Sequence, residues 1–387
     1  GEAQTCAAIV TDPWIVDYQT GELRRPCLGD VRRHTMVAQQ LDHVSAISLM
    51  DFPVTDVPGP ASNLRAMQAH LLLHDKHILT LPASAQSMRR WLRVAEILTR
   101  GDAELLSRAM SVGLAVISPL SISADNCELL LACCERGMAV WPVSCPIAGS
   151  TAPYSVASNL LLGNAETLFL AMLAQIIRPG TPFLYRFSPS TINPRSMEAL
   201  YYTLDNELWA LASVQLGQSY DMPTSCESGG TMTHRYDPQS GAEQVISMMN
   251  ATASGADVLT GVGSGYNATA MSGELMVMHR MWMEVARRLQ RGIDTSGDLL
   301  GLRSIVEAGP GGNFLTDDLT IDLLRSDEFF SHPLLDYSGE APEQPSMLER
   351  AHQEVERLVQ SHEPPHEEEL RRELEAFFDR ESADIER

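Results

Sequence analysis

Several common features are missing from this 387-residue chain, and each absence narrows its function. Positive charge is short: 28 Lys and Arg face 50 Asp and Glu, a formal charge of −22. Such a surface repels nucleic acid and anionic membranes, and no basic stripe offsets it. No apolar stretch reads as membrane-spanning; the best candidate, Leu160–Ile177, is interrupted by Gly163, Asn164 and Glu166. A disulfide framework is also missing. The 7 cysteines are odd in number and form no C-x-x-C, so reduced thiols in a cytosol are expected. The opening Gly1-Glu-Ala-Gln-Thr-Cys6 shows no charged leader and apolar run, so a cytoplasmic protein is expected.

Familiar ligand motifs are absent too. No G-x-G-x-x-G follows an early strand, which weighs against a dinucleotide-binding fold. Gly309-Pro-Gly-Gly312 lacks the Lys-Ser/Thr of a phosphate loop and reads as a tight turn. His70 and His74 share a helix face, but no Glu follows the first His, which weighs against a zinc protease. Together with His34, His43, His77 and the Cys133-Cys134 pair, they read as core side chains before metal ligands. Met271, Met276, Met278, Met281 and Met283 read as core fillers of one helix.

What is present is bulk and alternation. Hydrophobic residues make up 44% of the chain, enough for a large core. After a turn at Thr20-Gly21, Asp30 is expected to cap a helix running towards Gln40. Strands are then expected at 44–50, 77–81, 113–120, 138–145, 182–187, 223–227 and 257–263, with an eighth near 304–308. Helices are expected between them, among them 155–177, 195–217, 241–254 and 271–290. Seven or eight such units imply a parallel sheet closed as an α/β (β/α)₈ TIM barrel. Residues 1–40 are expected to lead into the barrel, 41–340 to form it, and 341–387 to add a C-terminal helical extension. Leu348, Ala351, Val355 and Leu358, then Leu370, Leu374, Phe377 and Phe378, recur at helical spacing on either side of Pro364-Pro365. That tail reads as a packing arm or an oligomer contact.

An ordered set of short motifs runs along the chain. It comprises Asp17-Tyr-Gln-Thr-Gly-Glu with Arg25-Pro26, Cys145-Pro-Ile-Ala-Gly-Ser-Thr-Ala-Pro153, Asn164-Ala-Glu166 and Gln175-Ile-Ile-Arg-Pro-Gly-Thr-Pro182. Asp237-Pro-Gln-Ser-Gly-Ala-Glu243 and Gly309-Pro-Gly-Gly-Asn-Phe-Leu315 follow, with Thr320, Phe330, Pro333, Leu335 and Asp336 downstream. In this order the set resembles the trimethylamine methyltransferase superfamily, in its glycine betaine-type branch without pyrrolysine. The resemblance implies a (β/α)₈ barrel that moves a methyl group from a methylated, quaternary amine to the Co(I) of a corrinoid (cobalamin) carried by a partner protein. It also implies a place in one-carbon metabolism, and the chain is expected to form a homo-oligomer. Family members carry a further segment ahead of the Asp17 motif, so a truncated chain or a shorter branch is expected. No pyrrolysine is written in the sequence, and Asn313 and Thr316–Thr320 stand where many relatives have histidines.

Residues at expected strand ends are the site candidates, because barrel chemistry sits at that face. Arg186, Glu227, Tyr266, Asn267, Asn313, Asp317 and Asp318 are candidates for binding the amine, Arg186 through a substrate carboxylate and the aspartates through a cation. Ala148, Gly149, Ser150, Thr151 and Glu243 are candidates for meeting the corrinoid. Plainer roles stand beside these: a structural strand-to-helix loop for Cys145–Pro153, helix-dipole support for Glu243, helix capping for Asp317 and Asp318, and turn residues for Tyr266 and Asn267. No acid/base pair is required, because a quaternary ammonium leaves as a neutral amine. Two rivals remain from the sequence: a non-catalytic amine-binding protein on the same barrel, and an unrelated barrel lyase.

Overall fold

The computed structural model describes residues 4–59, 61–339 and 344–385; the boundary expected at 340/341 lies outside them. Seven parallel strands form the central sheet: β1 Thr5–Ile9, β2 Val44–Met50, β3 His77–Leu81, β4 Met110–Val116, β5 Ala139–Ser144, β6 Ser225–Glu227 and β7 Val258–Val262. Their spatial order is β6-β7-β1-β2-β3-β4-β5, so the sheet curls with its strand C-termini gathered at one end. Both of its edges bond to the extended segment 182–187. Val140 N–H donates to the Pro182 carbonyl (3.0 Å), and Tyr185 N–H donates to the Pro223 carbonyl (2.8 Å).

The helices are α1 Leu28–Gln40, α2 Ala61–Leu71, α3 Ala85–Leu98, α4 Ala103–Ala109, α5 Ala124–Arg136, α6 Val156–Ile177, α7 Leu204–Ser219, α8 Pro238–Ala253, α9 Gly273–Arg291, α10 Leu302–Ala308, α11 Asp318–Leu323, α12 Met347–Gln360 and α13 Glu368–Ile385. Their starts are chemically marked. Ser123, Ser155, Asp237 and Ser272 each accept the N–H three residues on, satisfying a donor that has no partner inside its helix.

The structure corrects several expectations. Residues 1–40, expected only to lead in, supply β1, which pairs with β7 on one side and β2 on the other. Ser304–Ala308 is not a strand: Leu302, Ile305 and Val306 fall at helical spacing, and the segment is α10. The helix expected from Arg195 begins at Leu204; before it, Ser190–Ile192 pairs antiparallel with Ala199–Leu200. Asp30 sits at the third position of α1, where its carboxylate accepts from Cys27 N–H (2.8 Å), and Arg24 grips it with two nitrogens at 2.6 Å.

α6 is long and apolar enough to cross a membrane by length and composition, contrary to the sequence reading, although 33% of it is buried inside the protein. Its one charged residue locks it down. The buried Glu166 accepts from Ser118 (2.8 Å), Ser144 (2.6 Å) and Leu120 N–H (2.9 Å). The C-terminal helices close the body: Ala351, Val355 and Leu358 of α12 and Leu374, Phe377 and Phe378 of α13 join the core. All five methionines of the 271–283 stretch are buried, as are His70, His74, Cys133 and Cys134. Among the described residues no group of three His, Cys, Asp or Glu side chains is placed to hold a metal.

Candidate active site

The chemistry-bearing side chains collect where the parallel strands end. Glu227 closes β6, Arg186 lies on the 182–187 segment, Asp12 follows β1 and Cys145 follows β5. The Arg186 guanidinium stands 4.0 Å from Glu227 Oε2, donates to Ser188 Oγ (3.2 Å), and has its carbon 5.4 Å from the centre of the Trp141 ring. Gly113 makes room for that ring: a Cβ there would lie 2.7 Å from it. Tyr202 donates to Glu227 Oε1 (3.0 Å) and lies 3.1 Å from Ser264 Oγ. Its ring packs on Gly230, where an added Cβ would fall 2.0 Å away.

Burial shapes the electrostatics of this end. It pushes the Cys145 thiol up to about 11, opposed by Arg186, and the Tyr201 hydroxyl up to about 12, with Cys145 and Glu227 adding to the rise. Asp12 is buried, its Oδ2 has no hydrogen-bond partner, and burial followed by the nearby Glu227 charge holds its carboxyl well above the usual range. Loss of solvent and a second carboxyl nearby both disfavour the charged form of Asp12.

The sequence candidates therefore divide. Arg186 and Glu227 meet at the strand ends. Asn267 supports them indirectly: its Oδ1 accepts from Tyr201 N–H (2.7 Å), and its amide donates to the Ala199 carbonyl (2.6 Å), so it holds the loop bearing Tyr201 and Tyr202. Tyr266 packs edge-on against His234, 5.3 Å between ring centres, as part of the same turn. Tyr266, Asn267 and Ala268 all have positive φ, a run of left-handed backbone fixed by these contacts.

Past β5, Ile147–Ala148 pairs in parallel with Ser190–Thr191, and Gly149, Ser150 and Thr151 turn tightly after it. Ala148 is buried, Gly149 and Ser150 are exposed, and Thr151 accepts from Ile147 N–H (2.9 Å). Glu243 is already engaged, accepting from Thr231 Oγ1 (2.7 Å), Met232 N–H (2.8 Å) and Gln239 (2.9 Å). Asn313, Asp317 and Asp318 are not brought to the strand ends by any hydrogen bond. They lie on an exposed excursion, where Asn313 accepts from Leu315 N–H and Asp317 caps α11 through Thr320 N–H, both at 3.1 Å.

Sequence reasoning passed over Asp12, Trp141, Tyr201 and Tyr202. The only signal for Asp12 was its place two residues past the apolar run Cys6–Val10.

Below Arg186 and Trp141 lies a cavity of about 360 Å³. Alternate residues of several staves line it, Ala139 and Trp141, Leu184 and Arg186, Val258 and Thr260. The period of two is that of side chains pointing to one face of a strand.

Comparison with known proteins adds a family. The family model described as trimethylamine methyltransferase (MTTB) matches residues 1–386. The glycine betaine methyltransferase of Desulfitobacterium hafniense (strain Y51) is 29% identical over 329 residues, covering 84% of this chain and 68% of that protein. A trimethylamine methyltransferase of Methanosarcina barkeri (strain Fusaro) is 23% identical over 357 residues, covering 89% of this chain and 71% of that protein. Among solved structures, the monomethylamine methyltransferase of Methanosarcina barkeri superposes with a TM-score of 0.45 at 16% identity, over 97% of this chain and 74% of that chain.

Proposed function

Since the chain belongs to the trimethylamine methyltransferase family, we propose that it moves a methyl group from a methylated, quaternary amine to the Co(I) of a corrinoid carried by a separate protein. The single observation that carries this reading is the Arg186–Glu227 pair beside Trp141, Tyr201 and Tyr202. A carboxylate and aromatic rings suit a quaternary ammonium, which has no N–H to donate and is recognised by charge and ring faces. A guanidinium only 4.0 Å from one carboxylate keeps donors for a second, that of a zwitterionic substrate.

The chain's own task is orientation and exclusion of water. The partner's Co(I) supplies the nucleophile that keeps the methyl group, while the C–N electron pair stays on nitrogen and the tertiary amine leaves neutral. No proton has to be delivered to that nitrogen. The turn at 147–152 suits the approach of a large flat group, because Gly149 and Ser150 are exposed and no charged residue lies between Cys145 and Pro153. Glu243 fits that role poorly, its oxygens being used by Thr231, Met232 and Gln239.

The scaffold is read as a closed eight-stave (β/α)₈ barrel, with 182–187 as the stave between β5 and β6. Support comes from its hydrogen bonds to both sheet edges and from the shared cavity. The mouth at the strand C-termini is then where barrel enzymes keep their active sites. Residues 41–339, β1 and the packed helices α12 and α13 form one body in this reading, working in the cytoplasm.

The test is NMR of ¹³C-methyl-labelled quaternary amines incubated with the protein and a reduced corrinoid protein. Loss of the N-methyl signal with growth of the demethylated amine is expected for at least one of them. An unchanged spectrum with a partner of verified competence overturns the reading, and tight amine binding without transfer would instead favour a binding protein.

A further inference from the structure

A second set of oxygen-bearing side chains lies behind the strand-end pair, between β6 and the helices α7 and α8. Asn206, Glu207, Ala210 and Ser213 recur at helical spacing, which puts them on one face of α7. That face meets Ser225, Cys226 and Glu227 of β6 and Ser247 of α8 around a space of about 20 Å³. A space of that size holds one water-sized body. It is too small for a methylated ammonium, whose nitrogen is surrounded by carbon, so it is not the place of the amine.

Two features of its wall are unfinished. Ser213 and Ser225 are 2% and 4% exposed, and neither hydroxyl has a hydrogen-bond partner. Buried polar groups are nearly always paired with protein, water or an ion, so two orphans on one small space call for an occupant. Glu207 is the other feature. Ser247 and Asn250 donate to it, the latter at 3.4 Å, and the charge acting on it is that of Glu227, which repels. No cationic side chain balances Glu207, whereas Glu227 has Arg186 at 4.0 Å. The remaining polar groups of the wall are already used. Asn206 donates to the Pro189 carbonyl (2.7 Å), Tyr202 donates to Glu227 (3.0 Å), and Ser247 accepts from Gly229 N–H (3.1 Å). What is left for an occupant is oxygen: one unbalanced carboxylate and two unpartnered hydroxyls.

We infer that this space is a binding site for one monovalent metal cation, sodium or potassium, held by Glu207, Ser213 and Ser225. Carboxylate and hydroxyl oxygens are the ligands that hard cations take. A single positive charge matches the single unbalanced carboxylate. A divalent ion fits poorly. Magnesium keeps several of its waters, for which the space has no room, and calcium takes about 6–8 oxygens. The site lies apart from the amine but bears on its surroundings. Glu207 is in the first turn of α7, just after the loop of Tyr201 and Tyr202, and Ser225 precedes Glu227 on β6. A cation between them fastens the start of that helix to the strand that carries Glu227.

Thermal melting of the 387-residue chain tests this without a corrinoid partner or an amine. The chain is melted in Tris chloride, and in the same buffer with sodium or potassium chloride replacing part of it at constant ionic strength. At least one of the two salts is expected to raise the melting temperature saturably, by on the order of 2–5 °C, and the salt that does so identifies the ion. Glu207→Gln is expected to abolish the rise. Ser213→Ala is expected to move its midpoint to salt concentrations higher by on the order of 10-fold, which keeps the site testable if the first variant folds badly. Equal melting in all three salts overturns the site and leaves a water in the space, as does a rise that either variant keeps unchanged. A rise given by magnesium or calcium chloride and by neither monovalent salt overturns it in favour of a divalent ion. A cation response beside failed methyl transfer would count against the proposed reaction and leave the site standing.

Discussion

The Arg186 guanidinium and the Glu227 carboxylate stand 4.0 Å apart at the strand ends, close enough to attract and too far to satisfy each other. Each keeps hydrogen-bonding capacity that a fully formed ion pair would consume. In the proposed function, a substrate bearing both charges would complete both residues at once.

Glu227→Gln tests the cationic half. It removes the charge while keeping the shape and the contact to Tyr202. A fall on the order of 100-fold in kcat/KM for methyl transfer is expected, from losing a charge-assisted interaction of about 2–3 kcal/mol. Thermal stability is expected to change little. Wild-type rates in the variant would remove Glu227 from the site.

Arg186→Leu tests the other half by comparison between substrates. KM is expected to rise on the order of 10- to 100-fold for an amine bearing a carboxylate, and to stay near wild type for one without it. Equal effects on both would show that the guanidinium holds the pocket's shape and does not read a carboxylate.

Asp12 makes a pH prediction. Burial, with Glu227 nearby, raises its carboxyl in the folded protein well above the unfolded value of 3.8. Between those two values the unfolded chain has released this proton and the folded one has not, so stability falls as pH rises through that range. Asp12→Asn removes the loss. The variant is expected to melt higher than wild type at about pH 8, with the two converging at about pH 4. A pH-independent difference would show that Asp12 does not change its ionisation on folding.

Gly113→Ala should act through Trp141. Its Cβ would enter the space 2.7 Å from the indole, an overpacking that costs about 1–3 kcal/mol and displaces the ring. A shifted tryptophan fluorescence maximum with reduced transfer is expected, and unaltered fluorescence would show that the ring can yield at no cost.

Much of the fold was legible because most parallel strands are short apolar runs bounded by turn and cap residues. β2, β3, β5 and β7 fall where the alternation put them. β1 was missed for a physical reason: the run Cys6–Val10 opens with three small buried side chains, Cys6-Ala-Ala, so it shows no alternation and little bulky aliphatic signal. Ile305-Val306 misled in the other direction, a β-branched pair that a short exposed helix accommodates.

The candidate site was half legible. Arg186 and Glu227 were reachable from position alone, but Asp12 was hidden behind the unrecognised β1. Tyr201 and Tyr202 sat inside a helix expected to start too early. The ordered motifs mostly build scaffold. Asp17 accepts from Arg24 (2.9 Å), Asn164 ties Tyr185 to Tyr220 (2.6 and 3.1 Å), and Gln175 donates to the Thr181 carbonyl (2.8 Å). A short motif that holds elements together looks in the sequence like one that touches a ligand, and only the geometry separates the two.

The most direct test is a single-turnover reaction followed by cobalt absorbance. The protein is mixed with a reduced corrinoid protein and a panel of quaternary amines, with Glu227→Gln alongside. The account predicts conversion of the Co(I) spectrum to that of methylated cobalt with at least one amine, and strong slowing in the variant. A Co(I) spectrum unchanged by every amine, with a partner that accepts methyl groups from another enzyme, would contradict it.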